Sequence, residues 1–435
     1  MKNLLTYIDN HVLIKAAKLN TIVVFLKIIS GIAISKAIAV FIGPEGFALI
    51  GNVRNLLKAI QTFSILGIYN GLVSSISKVK DNVYELSKTV STAYYMGFFT
   101  TMLLAFFCFY QADLINSWIF PRRYNYAYII KILGLALPFY ALNMFSYAIM
   151  NGFAKYKMMM VINILGQVVG LLITLLLIWR ENIDGALVAV VITPSLTFLI
   201  TVVGFSNQRS LASEIKIKNI DLSILKKFGP YAIMALVTAI ALPLTYIVIR
   251  NYIIANVGFK EAGYWEAMNR ISDYYLMFVN SIMALYIIPK FRNIDGKEAF
   301  KAEVKNFYLS FLPYVMMGLA VIYLFRPLIV QLVFTSEFQP VEDLFLWQIL
   351  GDLVKVLSTV IAYHFLAKKM FWHFIIIQVF LFVILYFSSV MLIDNFGLKG
   401  AVMGHFVAYL LQYGIILLIF SSAIFGVLSD EEQEL

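Results

Sequence analysis

The sequence predicts an all-α polytopic membrane protein: twelve transmembrane helices in two six-helix lobes, related by a pseudo-twofold axis along the membrane normal. Three observations predict it. The 435-residue chain is 61% hydrophobic and 13% charged, against roughly 45–50% and 25% in soluble domains. Its apolar residues gather into twelve stretches of at least about 17, enough to cross hydrocarbon as helices. Short motifs recur about half a chain apart.

The spans fall near 19–41, 47–77, 89–110, 127–153, 158–179, 184–205, 228–250, 262–288, 306–325, 343–367, 371–393 and 398–426. Ahead of them, residues 1–18 carry Leu4, Leu5, Ile8, Val12 and Leu13 at helical spacing. That pattern predicts a short amphipathic helix on the inner membrane surface. No small-x-small cleavage site follows the first apolar run, so no cleaved signal is expected. Spans one to six form an N-lobe (19–205) and spans seven to twelve a C-lobe (228–426). A basic cytoplasmic linker (206–227) separates them, and an acidic cytoplasmic tail (427–435) ends the chain. With the N-terminus inside, 20 Lys and Arg lie in inner segments and 6 in outer loops. By the positive-inside bias both termini are cytoplasmic.

Three motif pairs argue for homologous halves. Gly46-Phe47 leading to Asn52 matches Gly263-Tyr264 leading to Asn269, at an offset of 217. Phe153 before Lys157-Met158 matches Phe365 before Lys369-Met370, at 212. Gly185-Ala186-Leu187 matches Gly400-Ala401-Val402, at 215. Six spans per half is even, so both halves insert the same way round, and a site is expected between them.

Composition also excludes functions. The net charge of +10 is dispersed between apolar spans, without the basic arm or aromatic-studded groove of a nucleic-acid binder. The single cysteine, Cys108, allows no intrachain disulfide. His364, His373 and His405 show no metal-ligand spacing and read as hydrogen-bonded core or interface residues. There is no phosphate-binding glycine loop, no HExxH and no extramembrane segment large enough for a hydrolase. No cofactor and no catalytic role are expected, and transport would be passive or driven by an ion gradient or membrane potential.

The most informative stretch is 259–291, FKEAGYWEAMNRISDYYLMFVNSIMALYIIPKF. It is long enough to span, yet holds Glu266, Asn269, Arg270 and Asp273. Glu266, Arg270 and Asp273 follow i, i+4 and i+3 spacing and share a helical face. An ionised group in hydrocarbon costs at least about 2.5 kcal/mol, so that face must meet protein or water. It reads as a wall of a polar cavity or as an ion-pair rung aligning two helices. Across all spans eight basic residues remain: Lys27, Lys36, Arg54, Lys58, Lys131, Arg250, Arg270 and Lys355. The acids within spans are Glu266, Asp273 and Asp352. A cationic interior calls for a bound anion.

Lys36, Lys131 and Arg250 lie near outer ends, where their heads can snorkel to headgroups. Arg54, Lys58 and Gln61 make a polar stripe on span two at i, i+4 and i+7. The repeat puts Arg270 one place from the position matching Arg54. Two such cations suit a diphosphate: Arg forks onto phosphate oxygens and Lys adds a point charge. Lys27 joins them from span one. Asp352 and Lys355, at i and i+3, read as a structural pair. Glu266 and Asp273 are candidate ion-coupling carboxylates, with Asp273 the better placed. Five tryptophans near span ends fit an interfacial belt.

These motifs resemble a known family. Ile42-Gly43-Pro44-Glu45-Gly46, then Gly51-Asn52-Val53-Arg54-Asn55 and Gly67-Ile68-Tyr69-Asn70-Gly71, look like polysaccharide flippases of the Wzx type, the group of O-antigen and lipid III-type translocases. Gly263-Tyr264-Trp265, Arg270-Ile271-Ser272-Asp273 and Tyr286-Ile287-Ile288-Pro289-Lys290 agree. The resemblance implies the fold of the multidrug/oligosaccharidyl-lipid/polysaccharide superfamily. The implied activity is flipping an undecaprenyl-diphosphate-linked oligosaccharide, an O-antigen or related repeat unit, to the outer leaflet of a bacterial inner membrane by alternating access. It carries the family's cavity cations onto Arg54 and Arg270, then Lys27 and Lys58, with Asn52 and Asn269 beside them. Implied partners are the lipid-linked glycan, membrane lipids, and the polymerase and chain-length components of the pathway.

Three other readings compete with this one. A multidrug exporter of this superfamily would present acidic groups to cationic drugs. A lipid II flippase usually carries two further helices. An O-antigen polymerase generally needs a large outer loop, whereas the longest loop here is on the inner side.

Overall fold

The computed structural model describes residues 2–205, 215–294, 296–368 and 370–421. The acidic tail 427–435, linker residues 206–214 and Lys369 lie outside the described residues. Unit by unit, and among the described residues, every regular element is helical. The first seven helices are α1 (Lys2–Phe41), α2 (Pro44–Ser64), α3 (Tyr69–Val79), α4 (Val83–Tyr110), α5 (Ala112–Ile119), α6 (Ala127–Gly152) and α7 (Tyr156–Phe205). After a 3-10 turn (Ile217–Asn219) come α8 (Ser223–Asn256), α9 (Phe259–Arg292), α10 (Lys297–Leu324) and α11 (Arg326–Val333). A second 3-10 segment (Ser336–Leu344) leads to α12 (Phe345–Ala367), α13 (Phe371–Phe396) and α14 (Leu398–Ile419).

Among the described residues, ten segments are long and apolar enough to cross a membrane. One of them, Tyr156–Gly204, is two spans joined at Asn182, whose backbone leaves the helical region (φ 48°, ψ −119°). The charge-bearing α9, 34 residues long, completes the twelve. Two expectations are corrected. Residues 2–41 form one continuous helix instead of a surface helix followed by a span; no Gly or Pro precedes Gly31 to break it. The span expected at 47–77 is two helices, α2 and α3, because Leu66 (φ 53°) and Gly67 (φ 62°) both enter the left-handed region. Gly67 suits that conformation. A Cβ there would also sit 2.8 Å from the Ala232 carbonyl oxygen on α8.

Residues 1–251 form one compact unit and 252–435 the other. The sequence placed this division in the linker, one helix earlier. The cause is that α8 is fastened into the first unit at both ends. At its start, Ile224 and Phe228 join the core of Ile65, Leu72, Ile76, Val90 and Phe145. Towards its end, Arg250 is 1% exposed and its Nη1 donates to Asn52 Oδ1 at 2.7 Å. Asn52 Nδ2 donates to the Ile119 carbonyl and to Asn251 Oδ1, and Asn251 Nδ2 donates to the Trp118 carbonyl. The snorkelling expected of Arg250 is corrected, since an acceptor within the protein holds its guanidinium inside. The described end of the linker is tied to α4. The Lys216 and Asp221 amides donate to Ser91 and Thr92 hydroxyls at 2.9 Å. The Ser223 hydroxyl and amide, and then Lys88, hold the Asp221 carboxyl below its ordinary range.

The internal repeat is written in the backbone at one offset, 215. The Gly43 amide donates to the Ile38 carbonyl and the Gly258 amide to that of Ile253, six-residue closures ahead of α2 and α9. Lys155 closes onto Met150 and Met370 onto Phe365, both at 2.8 Å. Asn182 and Gly397 share an irregular backbone (φ 48°, ψ −119°; φ 57°, ψ −138°). A Cβ on Gly185 would meet the Leu177 carbonyl oxygen at 2.0 Å, and one on Gly400 that of Leu392 at 2.1 Å. The offsets of 217 and 212 read from side chains are therefore corrected to 215. Residue matches slip by two or three positions on a helix surface, whereas closures fixed by φ and ψ do not. Arg54 thus corresponds to Asn269 and Lys58 to Asp273.

Two outcomes follow. Asn52→Leu removes an acceptor from a buried guanidinium and should destabilise the protein by about 1.5–3 kcal/mol. Arg250→Met added to it should recover most of that loss, read as thermal midpoints of the detergent-purified protein. Equal midpoints for wild type and Asn52→Leu would show that Asn52 does not hold the guanidinium. Gly185→Ala and Gly400→Ala should each lower the midpoint, since the added carbon meets backbone that cannot swing aside; an unchanged midpoint contradicts the shared closure.

Candidate functional site

In the first unit the site is built on α2. Gly43 (φ 80°) closes the preceding turn, and Pro44 takes the first helical position, where its missing amide costs nothing. The helix then buries Phe47, Ala48, Ile50 and Val53 almost completely. One face stays open: Arg54 is half-buried, Lys58 exposed and Gln61 half-buried. These residues share a side at i, i+4 and i+7. Lys27 on α1 is exposed as well. Charges placed within membrane-crossing helices reject lipid, so such faces call for protein or water beside them.

In the second unit α9 repeats that layout. From 51 to 58 and from 266 to 273 the order of buried, half-buried and exposed positions is the same, residue for residue. Asn269 takes the half-buried place of Arg54 and Asp273 the exposed place of Lys58. Asn269 Nδ2 is buried and lacks a hydrogen-bond partner. Glu266 and Arg270 fall on the buried side, 5% and 4% exposed, with Arg270 Nε donating to Glu266 Oε1 at 3.3 Å.

The expected site residues therefore separate into two groups. Lys27, Arg54, Lys58, Asn269 and Asp273 lie on faces open within their own units. Asn52, Glu266 and Arg270 do not: Asn52 is fully buried and bound to Arg250, and Arg270 is matched by Glu266. The predicted common face for Glu266, Arg270 and Asp273 is corrected accordingly. Asp273 is the exposed member while the other two are packed: it lies only about 20° round the helix from Glu266, but about 10 Å farther along it. The Arg54–Arg270 equivalence is corrected with it, through the register of 215.

Asp352, read as pairing with Lys355, is fully buried and lies 3.0 Å from His405 Nε2 on α14. Lys355 reaches over the ring of Tyr409, 5.3 Å from its centroid. Sequence spacing had no means of joining Asp352 to His405, 53 residues apart on separate helices, nor Asn52 to Arg250. The available signal was that each is a polar group inside an apolar span. Among the described residues no group of three or more His, Cys, Asp or Glu is arranged for a metal ion.

Comparison with known proteins agrees with this architecture. The "Lipid III flippase" of Escherichia coli (strain K12) is 26% identical over 392 residues, 90% of this chain and 94% of that protein. The same identity and coverage hold for the "Lipid III flippase" of Shigella flexneri. An inward-facing multidrug resistance MATE family transporter of the MOP superfamily superposes with a TM-score of 0.73 at 14% identity, covering 93% of this chain and 96% of that one. The lipid II flippase MurJ in an inward closed conformation gives 0.68 at 14% identity, covering 97% and 94%. At such identities the structural likeness speaks for the fold alone, an all-helical multi-pass fold with twelve spans. A family model described as polysaccharide biosynthesis protein matches residues 37–343, well over half of the sequence, and the chain belongs to that family.

Proposed function

We propose that this protein is a flippase that moves a polyprenyl-diphosphate-linked oligosaccharide from the inner to the outer leaflet of a bacterial inner membrane by alternating access. Both termini are cytoplasmic in this reading, and the polymerase and chain-length components of the same glycan pathway are its protein partners. It carries its cargo without making or breaking covalent bonds. The observation that supports it most is the pair Arg54 and Lys58, one turn apart on the open face of α2. A diphosphate needs just such a guanidinium fork and point charge, held where hydrocarbon cannot follow. The family match supports the glycan pathway, and the lipid III flippases of 26% identity support a polyprenyl-linked cargo.

Within this reading Lys27, Arg54 and Lys58 hold phosphate oxygens, and Asn269 and Asp273 meet polar parts of the cargo. Asn52, Glu266 and Arg270 set the shape of the helices that present them.

The test is reconstitution with a labelled polyprenyl-diphosphate oligosaccharide, scoring protection from an enzyme or quencher added outside. Hydrogen bonds to a charged phosphate contribute about 1.5–3 kcal/mol each. Arg54→Ala and Lys58→Ala should therefore slow movement by roughly tenfold or more. Wild-type rates in both variants would reject the assignment.

A further inference from the structure

We infer that the Asp352–His405 pair in the second unit is a proton-binding site that couples the transport cycle to a proton gradient; this rests on the transport reading above.

The pair lies at the centre of a dry polar cluster. Asp352 and His405 are 0% and 3% exposed. Asp352 Oδ1 and His405 Nε2 approach to 3.0 Å. A carboxylate oxygen and an unprotonated ring nitrogen are both acceptors, so a proton must lie on that contact. The carboxylate has donors from two other directions. Ser272 gives its hydroxyl to Oδ2 at 2.6 Å, and the Tyr275 hydroxyl also donates to Oδ2. Gln348 Nε2 lies within 3.4 Å of both oxygens, while its buried Oε1 has no donor. Four donors hold the carboxylate as an acceptor and leave the imidazole to take up the exchangeable proton. The loaded pair, imidazolium and carboxylate, is neutral overall; the unloaded pair carries one negative charge. In a low-dielectric interior those states favour different packing.

The surroundings contain few rivals for that proton. On α12 itself Lys355 sits one turn from Asp352. From α14, Tyr409 meets the His405 ring edge-on, centroids 4.8 Å apart, and lies under Lys355. From α9, Tyr275 donates inward while Asp273 is exposed. The Tyr308 hydroxyl of α10 is spent on the Leu357 carbonyl, and α13 brings the Ser389 hydroxyl up against Gly404. In the 3-10 segment before α12, Glu337 pairs with Lys260 and Asp343 with Lys399, both at 3.1 Å, and Glu342 is half-buried.

The repeat shows that the fold does not require this cluster. At the 215 offset, Ser272, Tyr275, Gln348, Asp352 and His405 correspond to Leu57, Ile60, Leu133, Leu137 and Val190 of the first unit. The same helices pack there with an apolar set. Gly351 corresponds to Ala136. In the second unit a Cβ at 351 would stand 2.4 Å from His405 Cδ2, so the glycine makes room for the ring. Five polar residues and one glycine thus replace five apolar residues and one alanine together. A cluster that alignment of helices does not need, built around a buried carboxylate–imidazole contact, marks a functional position.

The experiment uses the whole chain in proteoliposomes with the labelled polyprenyl-diphosphate oligosaccharide, under imposed pH gradients or, separately, sodium gradients. For one proton per cargo, each pH unit across the membrane should shift the leaflet ratio up to about tenfold in wild type. In Asp352→Asn and His405→Gln the shift should fall to within about twofold, and Gly351→Ala should weaken it by displacing the ring. Should those variants fail to fold, the set Ser272→Leu, Tyr275→Ile, Gln348→Leu, Gly351→Ala, Asp352→Leu and His405→Val copies the first unit's core; it should fold and lose the pH response. Movement that ignores pH in wild type, that follows sodium instead, or that keeps its pH response in the variants overturns the proton site alone. No movement of the glycolipid in wild type under any gradient overturns the transport reading and this inference with it.

Discussion

An ionised group inside a membrane-crossing helix must be matched by protein or bathed by water, and that constraint orders everything described here. Arg250 meets it through Asn52, Arg270 through Glu266, and Asp352 through His405, Ser272 and Tyr275. Asp273 meets it by exposure, and Lys58 is exposed on α2. Which solution each charge adopts sorts structural groups from those available to a cargo. Counting charges alone treats them all as equal.

The repeat adds the second layer. One sequence plan, used twice at an offset of 215, gives two helices, α2 and α9, with matching buried and open faces. Their chemistry differs on the open side: Arg54 and Lys58 in one, Asn269 and Asp273 in the other. The interior differs too. The first unit keeps Leu133 and Leu137 where the second has Gln348 and Asp352. Under the proposed function, divergence from a common core would leave the diphosphate-binding residues in one unit and the Asp352–His405 cluster in the other.

Much of this was legible in the sequence. Twelve spans and two halves follow from apolar length and recurrence, and they hold because hydrocarbon thickness leaves little freedom; the excess of cations counted within the spans is not an excess of buried ones, since Arg250 and Arg270 are buried alongside Glu266 and Asp352. Arg54 and Lys58 were legible because i and i+4 on one helix is a local relation. The repeat register was legible to within a few residues only, since Gly46 and Gly263 resemble each other by side chain, whereas the backbone closures at Gly43 and Gly258 carry the true correspondence. The break at Leu66–Gly67, the capture of Arg250 by Asn52 and the pairing of Asp352 with His405 were not legible. Each depends on a partner from a distant helix, and spacing along one helix gives no information about it.

Under the proposed function, the open face of α2 carries the cargo's diphosphate. The most direct measurement is thiol labelling in membranes of single cysteines, introduced as Arg54→Cys, Lys58→Cys, Asn52→Cys and Arg270→Cys with Cys108→Ala as background. A charged, membrane-impermeant reagent should modify positions 54 and 58, a polyprenyl diphosphate should protect them, and positions 52 and 270 should stay unreactive. Rapid labelling at 52 and 270, or reaction at 54 and 58 that the diphosphate leaves unchanged, would contradict the account.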